Sequence, residues 1–164
     1  MPFMNARNRY LLISVLFWVV VDYTTAFNPD VQRWLDHMPL IWAFYAGYPI
    51  VFAHLIYDKR WDDRRIFYAM IVGAFIVEVV CSGNTLLYTF PIMVITIPVA
   101  GVIYTIVTFL PKWIVEGELE RRGKTVAFLV SVYFIVCSTT SVKLVQGSWV
   151  EGKDCARPRS VCMI

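Results

Sequence analysis

The sequence predicts an all-α, polytopic integral membrane protein built as a bundle of five transmembrane helices. Three observations lead to this fold class. Of the 164 residues, 59% are hydrophobic and only 16% are charged, whereas a soluble domain carries roughly a quarter charged residues because its surface faces water. The mean hydropathy is +0.61. The apolar residues also gather into runs close to the about 20 residues that cross roughly 30 Å of hydrocarbon.

Five apolar runs are the predicted spans of a single transmembrane domain over residues 1–164: 10–27, 39–57, 66–82, 86–110 and 126–145. The first run is closed by Asn28-Pro29-Asp30, a combination that stops a helix. The second begins at Pro39 and contains Pro49. The third is short and is followed by Gly83-Asn84, which is a turn signal.

The last two predicted spans are bounded by prolines and charges. Pro91 and Pro98 interrupt the fourth run, and we expect each to kink the helix because a proline removes a backbone donor. Pro111-Lys112 ends this run. The fifth span follows the charged stretch 116–124, and residues 146–164 form a tail beyond it.

The distribution of basic residues predicts the orientation. Basic residues near span ends favour the cytoplasmic side of a membrane. Ten of the 15 lysines and arginines fall before the first span or in the loops after the second and fourth spans, four fall on the opposite side, and Lys143 lies within the fifth span. We therefore expect a multi-pass protein of the cell membrane with a cytoplasmic N-terminus and an external tail. Cys155 and Cys162 in that tail are spaced to allow a disulfide, but the spacing leaves their pairing open.

Three charged residues lie within predicted spans, namely Asp22, Glu78 and Lys143. A charge at the centre of a transmembrane helix costs about 2.5 to 3.5 kcal/mol on insertion scales, so such a residue should face protein or a water-filled cavity. Asp22 and Glu78 each lie twelve residues beyond the cytoplasmic start of their spans, which places both ~18 Å into the bilayer at 1.5 Å per residue. By the same rise Lys143 lies ~26 Å in. We expect all three in the outer half of the bilayer.

Helical spacing brings further polar side chains to the faces that carry these charges. Trp18 and Thr25 share a face with Asp22, for example. The sequence thus predicts a pocket in which Asp22 and Glu78 are the catalytic pair and the surrounding residues bind a substrate: Trp18, Thr25, Tyr48, Ser82, Thr139, Thr140 and Lys143.

The chemistry of this pocket favours an integral-membrane enzyme that acts on a lipid or an isoprenoid. An apolar substrate can enter sideways from the bilayer, and two carboxyl groups in different environments can supply and remove protons without a cofactor. Isomerisation, cyclisation or hydration of a double bond is the expected reaction. No cofactor or metal is expected, because metalloprotease, hydrolase and nucleotide-binding motifs are lacking. The net charge of +3 is too small to imply nucleic acid.

Two other functions use the same residues. A proton- or cation-coupled transporter could bind and release its cargo at the carboxylates. An accessory subunit of a larger membrane complex, or a homo-oligomer, could pair the charges with a partner. Asp22 and Glu78 could also form structural ion pairs with Lys143, and Lys143 alone could extend to the outer interface.

The remaining polar features predict structure. We expect His54 to be neutral and bonded to Asp58 or Tyr57, and the loop 58–65 to carry salt-bridged interfacial charge. The acids of that loop could alternatively bind a magnesium diphosphate. Small residues spaced four apart are expected to let the second and third spans pack closely: Ala43 with Gly47 and Ala69 with Gly73.

Overall fold

The computed structural model describes residues 4–27, 30–81 and 89–151, apart from the side chains at 40, 41, 81 and 139–151. These residues form five helices joined by turns, with no strand, so the all-α class is confirmed for this part of the chain. The helices are α1 Ala6–Asp22, α2 Val31–Ala53, α3 Asp63–Phe75, α4 Met93–Glu116 and α5 Gly123–Glu151. The first three continue into wider π-helical turns, which are Tyr23–Phe27, His54–Asp58 and Ile76–Cys81.

Two helical segments are long and apolar enough to cross a membrane, Ala6–Phe27 and Met93–Glu116. A third candidate is α2 with its π-helical turn, if its two arms count as one span. These arms, Val31–Pro39 and Trp42–Asp58, meet at an angle of 67°, and Pro39 at the bend removes a backbone donor. The described residues thus contain two or three candidate membrane-spanning helices.

The burial pattern of α1 is the reverse of that in a soluble helix. Leu12, Leu16 and Val20 are each about half exposed, whereas Tyr10 and Ser14 are fully buried. Soluble proteins rarely present contiguous apolar surface of this kind to water. A helix that faces lipid on one side and polar groups on the other has this pattern.

The packing of the helices places α1 and α4 at the centre. The closest association is between these two helices, α2 packs on α1, and α3 and α5 pack on α4. The largest fully buried side chains come from four of the helices: Tyr10, Tyr45, Tyr104, Ile66 and Met70. The four-helix junction of α1, α2, α3 and α4 therefore forms the core.

Helix α4 continues through Pro111, where the predicted fourth span ends. A proline at 111 leaves the carbonyl of Val107 without its usual helical donor, but the Ser14 hydroxyl of α1 donates to that carbonyl at 3.0 Å. The helix ends six residues later, at Gly117, whose φ of 72° lies in the left-handed region that favours glycine. Pro91, expected to kink this helix, lies in the turn before its first residue.

One end of the bundle is held together by ion pairs. Arg7 at the start of α1 contacts Asp58 at the end of the second helical segment, at 3.4 Å. Asp63 at the start of α3 contacts Lys112 of α4 at 2.9 Å and Arg122, which precedes α5, at 2.7 Å. These five residues define the charged end of the bundle. The segments that carry most of the basic residues meet at this end.

Candidate functional site

A cavity of about 320 Å³ lies among α1, α2, α3 and α4, in the half of the bundle away from the charged end. Asp22 and Glu78 both line it. The lining is drawn from all four helical segments: Trp18, Val21, Asp22, Thr25, Ala26, Phe44, Tyr45, Val77, Glu78, Ile103 and Tyr104. We refer to it as the acid cavity.

Each acid of this cavity is held by a tyrosine from a neighbouring helix. The Tyr45 hydroxyl donates to Asp22 Oδ2 at 2.5 Å and accepts a hydrogen bond from Trp34 Nε1 at 3.2 Å. The Tyr104 hydroxyl donates to Glu78 Oε1 at 3.0 Å. The two acids therefore line one cavity but have different hydrogen-bond partners.

Both acids are placed where an α-helix widens into a π-helical turn. Asp22 is the last residue of α1 before the turn Tyr23–Phe27, and Glu78 lies within the turn Ile76–Cys81. Such turns are rare in proteins and occur frequently at functional sites. Thr25 lies in the turn that follows Asp22, and its hydroxyl donates a hydrogen bond to the carbonyl of Val21 at 2.7 Å. The hydroxyl proton of Thr25 therefore bonds within its own helical segment.

Three aromatic rings close the cavity on the side of the charged end. Trp18, Tyr48 and Tyr104 pack edge to face, with ring centroids 5.1 to 5.7 Å apart. We call them the aromatic layer. Beneath it the Tyr48 hydroxyl is 3.0 Å from the Thr108 hydroxyl, and Val107 is fully buried. The interior between the acid cavity and the charged end is therefore densely packed.

The indole nitrogen of Trp18 has no hydrogen-bond acceptor among the described residues. The Trp18 side chain lines the acid cavity and is only 8% exposed. A buried donor without a partner carries a free-energy cost of about 1 to 3 kcal/mol. The Trp18 ring is therefore held in place by packing, and no described acceptor bonds its indole nitrogen.

A groove of about 710 Å³ between α2 and α3 adjoins the acid cavity. Phe44 and Val77 line both spaces. The other groove residues are almost all apolar, and Val51 and Val72 on its two walls are each more than half exposed. We call this space the apolar groove. It opens on the apolar surface of the bundle and borders the acid cavity at Phe44 and Val77.

The small residues of α2 and α3 line the apolar groove, and one of them also lies against the neighbouring helix. Ala43, Gly47, Ala69 and Gly73 all belong to the groove walls. A Cβ added at Gly47 would meet no atom within 4 Å, whereas a Cβ added at Gly73 would lie 3.5 Å from Tyr48 Cε2 of α2. Gly73 therefore packs against α2, and Gly47 borders open space.

The predicted site residues fall into three groups. Asp22, Glu78, Trp18 and Thr25 line the acid cavity, whereas Tyr48 lies in the aromatic layer and lines the groove. Ser82 lies outside the described residues, and the side chains of Thr139, Thr140 and Lys143 are not among those described. The cysteines of the tail, Cys155 and Cys162, also lie outside them.

Tyr104 is a site residue that the sequence pattern does not single out. It is 1% exposed and bonds Glu78 directly. A charge within an apolar run is conspicuous because its insertion is costly, and a tyrosine carries no comparable cost. The available signal is its spacing of four from Thr108, which places two hydroxyl groups on one face of α4.

A second cluster of polar side chains lies at the charged end. Lys112, whose side chain is 10% exposed, contacts both Asp63 and Glu116. Arg122 contacts Asp63 and Glu118, and its guanidinium lies 4.9 Å from the ring centroid of Trp113. Desolvation alone raises the pKa of Asp63, but hydrogen bonds and charge attraction from Lys112 and Arg122 together hold that pKa below its usual range.

The acids of the loop 58–65 each have a basic partner, which confirms the salt-bridged interpretation. Asp58 contacts Arg7 at 3.4 Å, and Asp62 contacts Arg65 at 3.3 Å. Asp58 also forms the hydrogen bond expected with His54, at 2.8 Å from Nδ1. No group of three His, Cys, Asp or Glu side chains in the described ranges is arranged to hold a metal ion. Comparison with protein-family models, curated proteins and solved structures gives no match for this chain.

Proposed function

We propose that this protein is an integral-membrane enzyme that acts on a lipid or isoprenoid by acid/base chemistry, with Asp22 and Glu78 as the reacting pair. The observation that carries the proposal is that two spaces lie side by side. The acid cavity holds two carboxyl groups, and it shares the wall residues Phe44 and Val77 with the apolar groove. An apolar chain bound in the groove would lie against these two residues, next to the cavity that holds the acids.

The two acids have different hydrogen-bond partners. Asp22 belongs to a chain of donors that runs from Trp34 through Tyr45, whereas Glu78 accepts from Tyr104. Two carboxyl groups in unlike environments can divide the roles of acid and base. Isomerisation, cyclisation or hydration of a double bond needs only this division, and no cofactor takes part in it.

The dense packing below the acid cavity favours an enzyme over a transporter. Transport requires a binding site that opens in turn to both sides of the membrane. Here the aromatic layer closes the cavity toward the charged end, and Ser14 and Val107 are fully buried beneath it. The apolar groove instead gives access from the side, which suits a membrane-dissolved substrate.

We further propose that the chain crosses the cell membrane five times, with the charged end in the cytoplasm and the tail outside. The ion pairs Arg7 to Asp58 and Lys112 to Asp63 support a common side for the segments that carry ten of the basic residues. The positive-inside rule assigns that side to the cytoplasm. The acid cavity then lies in the outer half of the bilayer.

Deuterium incorporation tests the proposal on the whole lipid mixture, so no single substrate has to be chosen. Proteoliposomes made with lipids from the native membrane are incubated in D2O, and carbon-bound deuterium in each lipid is measured by mass spectrometry. Reversible addition and removal of a proton at carbon introduces deuterium into the substrate. We expect Asp22→Asn and Glu78→Gln to lower the rate about 10²- to 10⁴-fold, the usual contribution of an acid or base.

Two exposed acids provide matched controls. Asp36→Asn and Glu120→Gln make the same chemical changes outside the acid cavity, and we expect both to retain the wild-type rate. The proposal fails if wild-type protein incorporates no more deuterium than empty liposomes, or if folded Asp22→Asn and Glu78→Gln retain full incorporation.

A further inference from the structure

We propose that the acid cavity is a cation-stabilising site, in which the reacting end of the substrate carries positive charge as a carbocation. This inference rests on the proposed function and specifies the intermediate that the site accommodates. It follows from two properties of the cavity lining, which are the sign of its charge and its aromatic content.

The charge of the described lining is negative. Asp22 and Glu78 contribute two carboxyl groups, and none of the eleven lining residues is Lys, Arg or His. In a low-dielectric interior two neighbouring carboxylates repel each other strongly. A positive charge between them removes that repulsion, which a neutral or anionic ligand cannot do.

Aromatic side chains make up four of the eleven lining residues: Trp18, Phe44, Tyr45 and Tyr104. The face of an aromatic ring attracts cations, and desolvated sites gain most from this attraction. Tyr45 and Tyr104 both donate their hydroxyl protons to carboxyl oxygens. This polarises each phenol toward phenolate and makes its ring more attractive to a cation.

A carbocation arises directly from proton transfer to a double bond. The protonated carboxyl group of one acid adds its proton to one alkene carbon, where the π electrons form the new C–H bond. The other alkene carbon becomes the carbocation. The second carboxylate then removes a proton from a neighbouring carbon, and the electrons of that C–H bond form the new double bond. No oxidant or reductant is consumed.

A permanent cation and a neutral molecule of the same shape together test this inference. Dodecyltrimethylammonium and its neutral carbon isostere 2,2-dimethyltetradecane differ in charge and share one outline. Their dissociation constants are measured on the protein in phosphatidylcholine nanodiscs, with empty nanodiscs subtracted. We expect wild-type protein to bind the ammonium probe at least about tenfold more tightly, because a desolvated aromatic and carboxylate site favours the charge. Equal affinities overturn the inference.

Ring substitutions identify the source of the selectivity. Trp18→Leu should raise the dissociation constant of the ammonium probe about 10- to 30-fold, which corresponds to the loss of a desolvated cation–π contact. The dissociation constant of the neutral probe should rise less than about threefold. Tyr104→Leu should act in the same way, whereas Tyr104→Phe keeps the ring and most of the selectivity. Equal losses for both probes in Trp18→Leu and Tyr104→Leu contradict the inference.

Two further variants serve as controls. Trp61→Leu alters the apolar groove outside the acid cavity, so it should change both affinities by the same factor. Lys143→Met tests whether the lysine of the fifth predicted span fills the site itself. Unchanged selectivity supports the inference, and selectivity that emerges only in Lys143→Met overturns it.

The two proposals fail separately. Deuterium incorporation that depends on Asp22 and Glu78, without selectivity for the ammonium probe, leaves the acid/base function standing and removes the cation site. Selectivity for the ammonium probe, without acid-dependent incorporation, leaves a cation-binding cavity and removes the acid/base function.

Discussion

Pro111 shows how one residue of a neighbouring helix keeps α4 continuous. Its ring leaves the Val107 carbonyl without a donor from its own helix, and the Ser14 hydroxyl of α1 supplies one at 3.0 Å. Side chains of adjacent helices commonly satisfy such carbonyls in membrane proteins, because no water is present to do so. The serine and the proline therefore form an energetic pair.

A double-mutant cycle measures this pair. We expect Ser14→Ala to lower the free energy of unfolding in mixed micelles by about 1 kcal/mol, within the range found for hydrogen bonds between transmembrane helices. In a Pro111→Ala background the new backbone N–H can bond Val107, so the same substitution should cost less. Ser131→Ala is the control, because among the described residues the exposed Ser131 hydroxyl bonds to Ala127 of its own helix. Equal costs of Ser14→Ala in both backgrounds would show that the two residues are uncoupled.

Residue-level prediction from the sequence depends on how strongly the membrane penalises a side chain. Asp22 and Glu78 can be found because an isolated charge in an apolar run is costly. Tyr45 and Tyr104 cannot be found in this way, since tyrosine is tolerated in spans and its role comes from a partner on another helix. The meeting of Asp22, Phe44 and Glu78 around one cavity is likewise a property of packing, which spacing along one helix does not contain.

At the scale of elements, Asp63 ties α3 to the α4–α5 connection. Its two carboxylate oxygens contact Lys112 and Arg122 separately, so one residue at the start of α3 bridges both partners. Asp62, the preceding residue, contacts only Arg65 in the same helix among the described residues and its side chain is 64% exposed. Neighbouring aspartates therefore differ in whether they connect helices.

Asp63→Asn should lower the free energy of unfolding by about 1 kcal/mol, a modest value because the Asp63 carboxylate is 39% exposed and solvent screens it. Asp62→Asn should change it little. The pKa of Asp63 is lowered in the folded state, so its contribution is present above the unfolded-state pKa of about 3.9 and is lost as the pH falls through the lower folded value. The difference between wild type and Asp63→Asn, measured by thermal unfolding from pH 7 to pH 3, should shrink below about pH 4. A difference that grows toward acid pH would contradict this assignment.

The existence of the helices follows from the apolar runs, but their ends do not. Helix α2 begins at Val31 and bends near Pro39, where the second span is predicted to start. Helix α4 extends past Pro111 because Ser14 supplies a hydrogen bond from another helix. The local sequence around a proline does not show whether another helix will supply a hydrogen-bond donor. Helix boundaries at prolines are therefore the least predictable part of the fold.

At the scale of the whole molecule, the ion pairs bring three connecting segments together at the charged end of the bundle. The start of α1, the loop 58–65 and the α4–α5 connection meet there. Residues between the first and second predicted spans, and the tail after the fifth, belong to the opposite side in the proposed topology. This division can be measured in intact cells.

Cysteine labelling tests the five-span topology. After the four native cysteines are replaced by serine, single substitutions are introduced as Asp36→Cys, Lys153→Cys, Arg60→Cys and Glu120→Cys. A membrane-impermeant maleimide should label the first two in intact cells and the last two only after permeabilisation. Labelling of Lys153→Cys together with Glu120→Cys would show an even number of crossings and refute the proposed topology.

The position of the apolar groove also determines which measure of substrate concentration sets the rate of the proposed reaction. Its exposed walls, including Val51 and Val72, face the same surroundings as the rest of the apolar surface. A molecule arriving through them comes from the bilayer and encounters the protein by lateral diffusion. Its effective concentration is therefore its mole fraction among the membrane lipids, and adding inert lipid dilutes it even when its amount per volume of buffer stays constant.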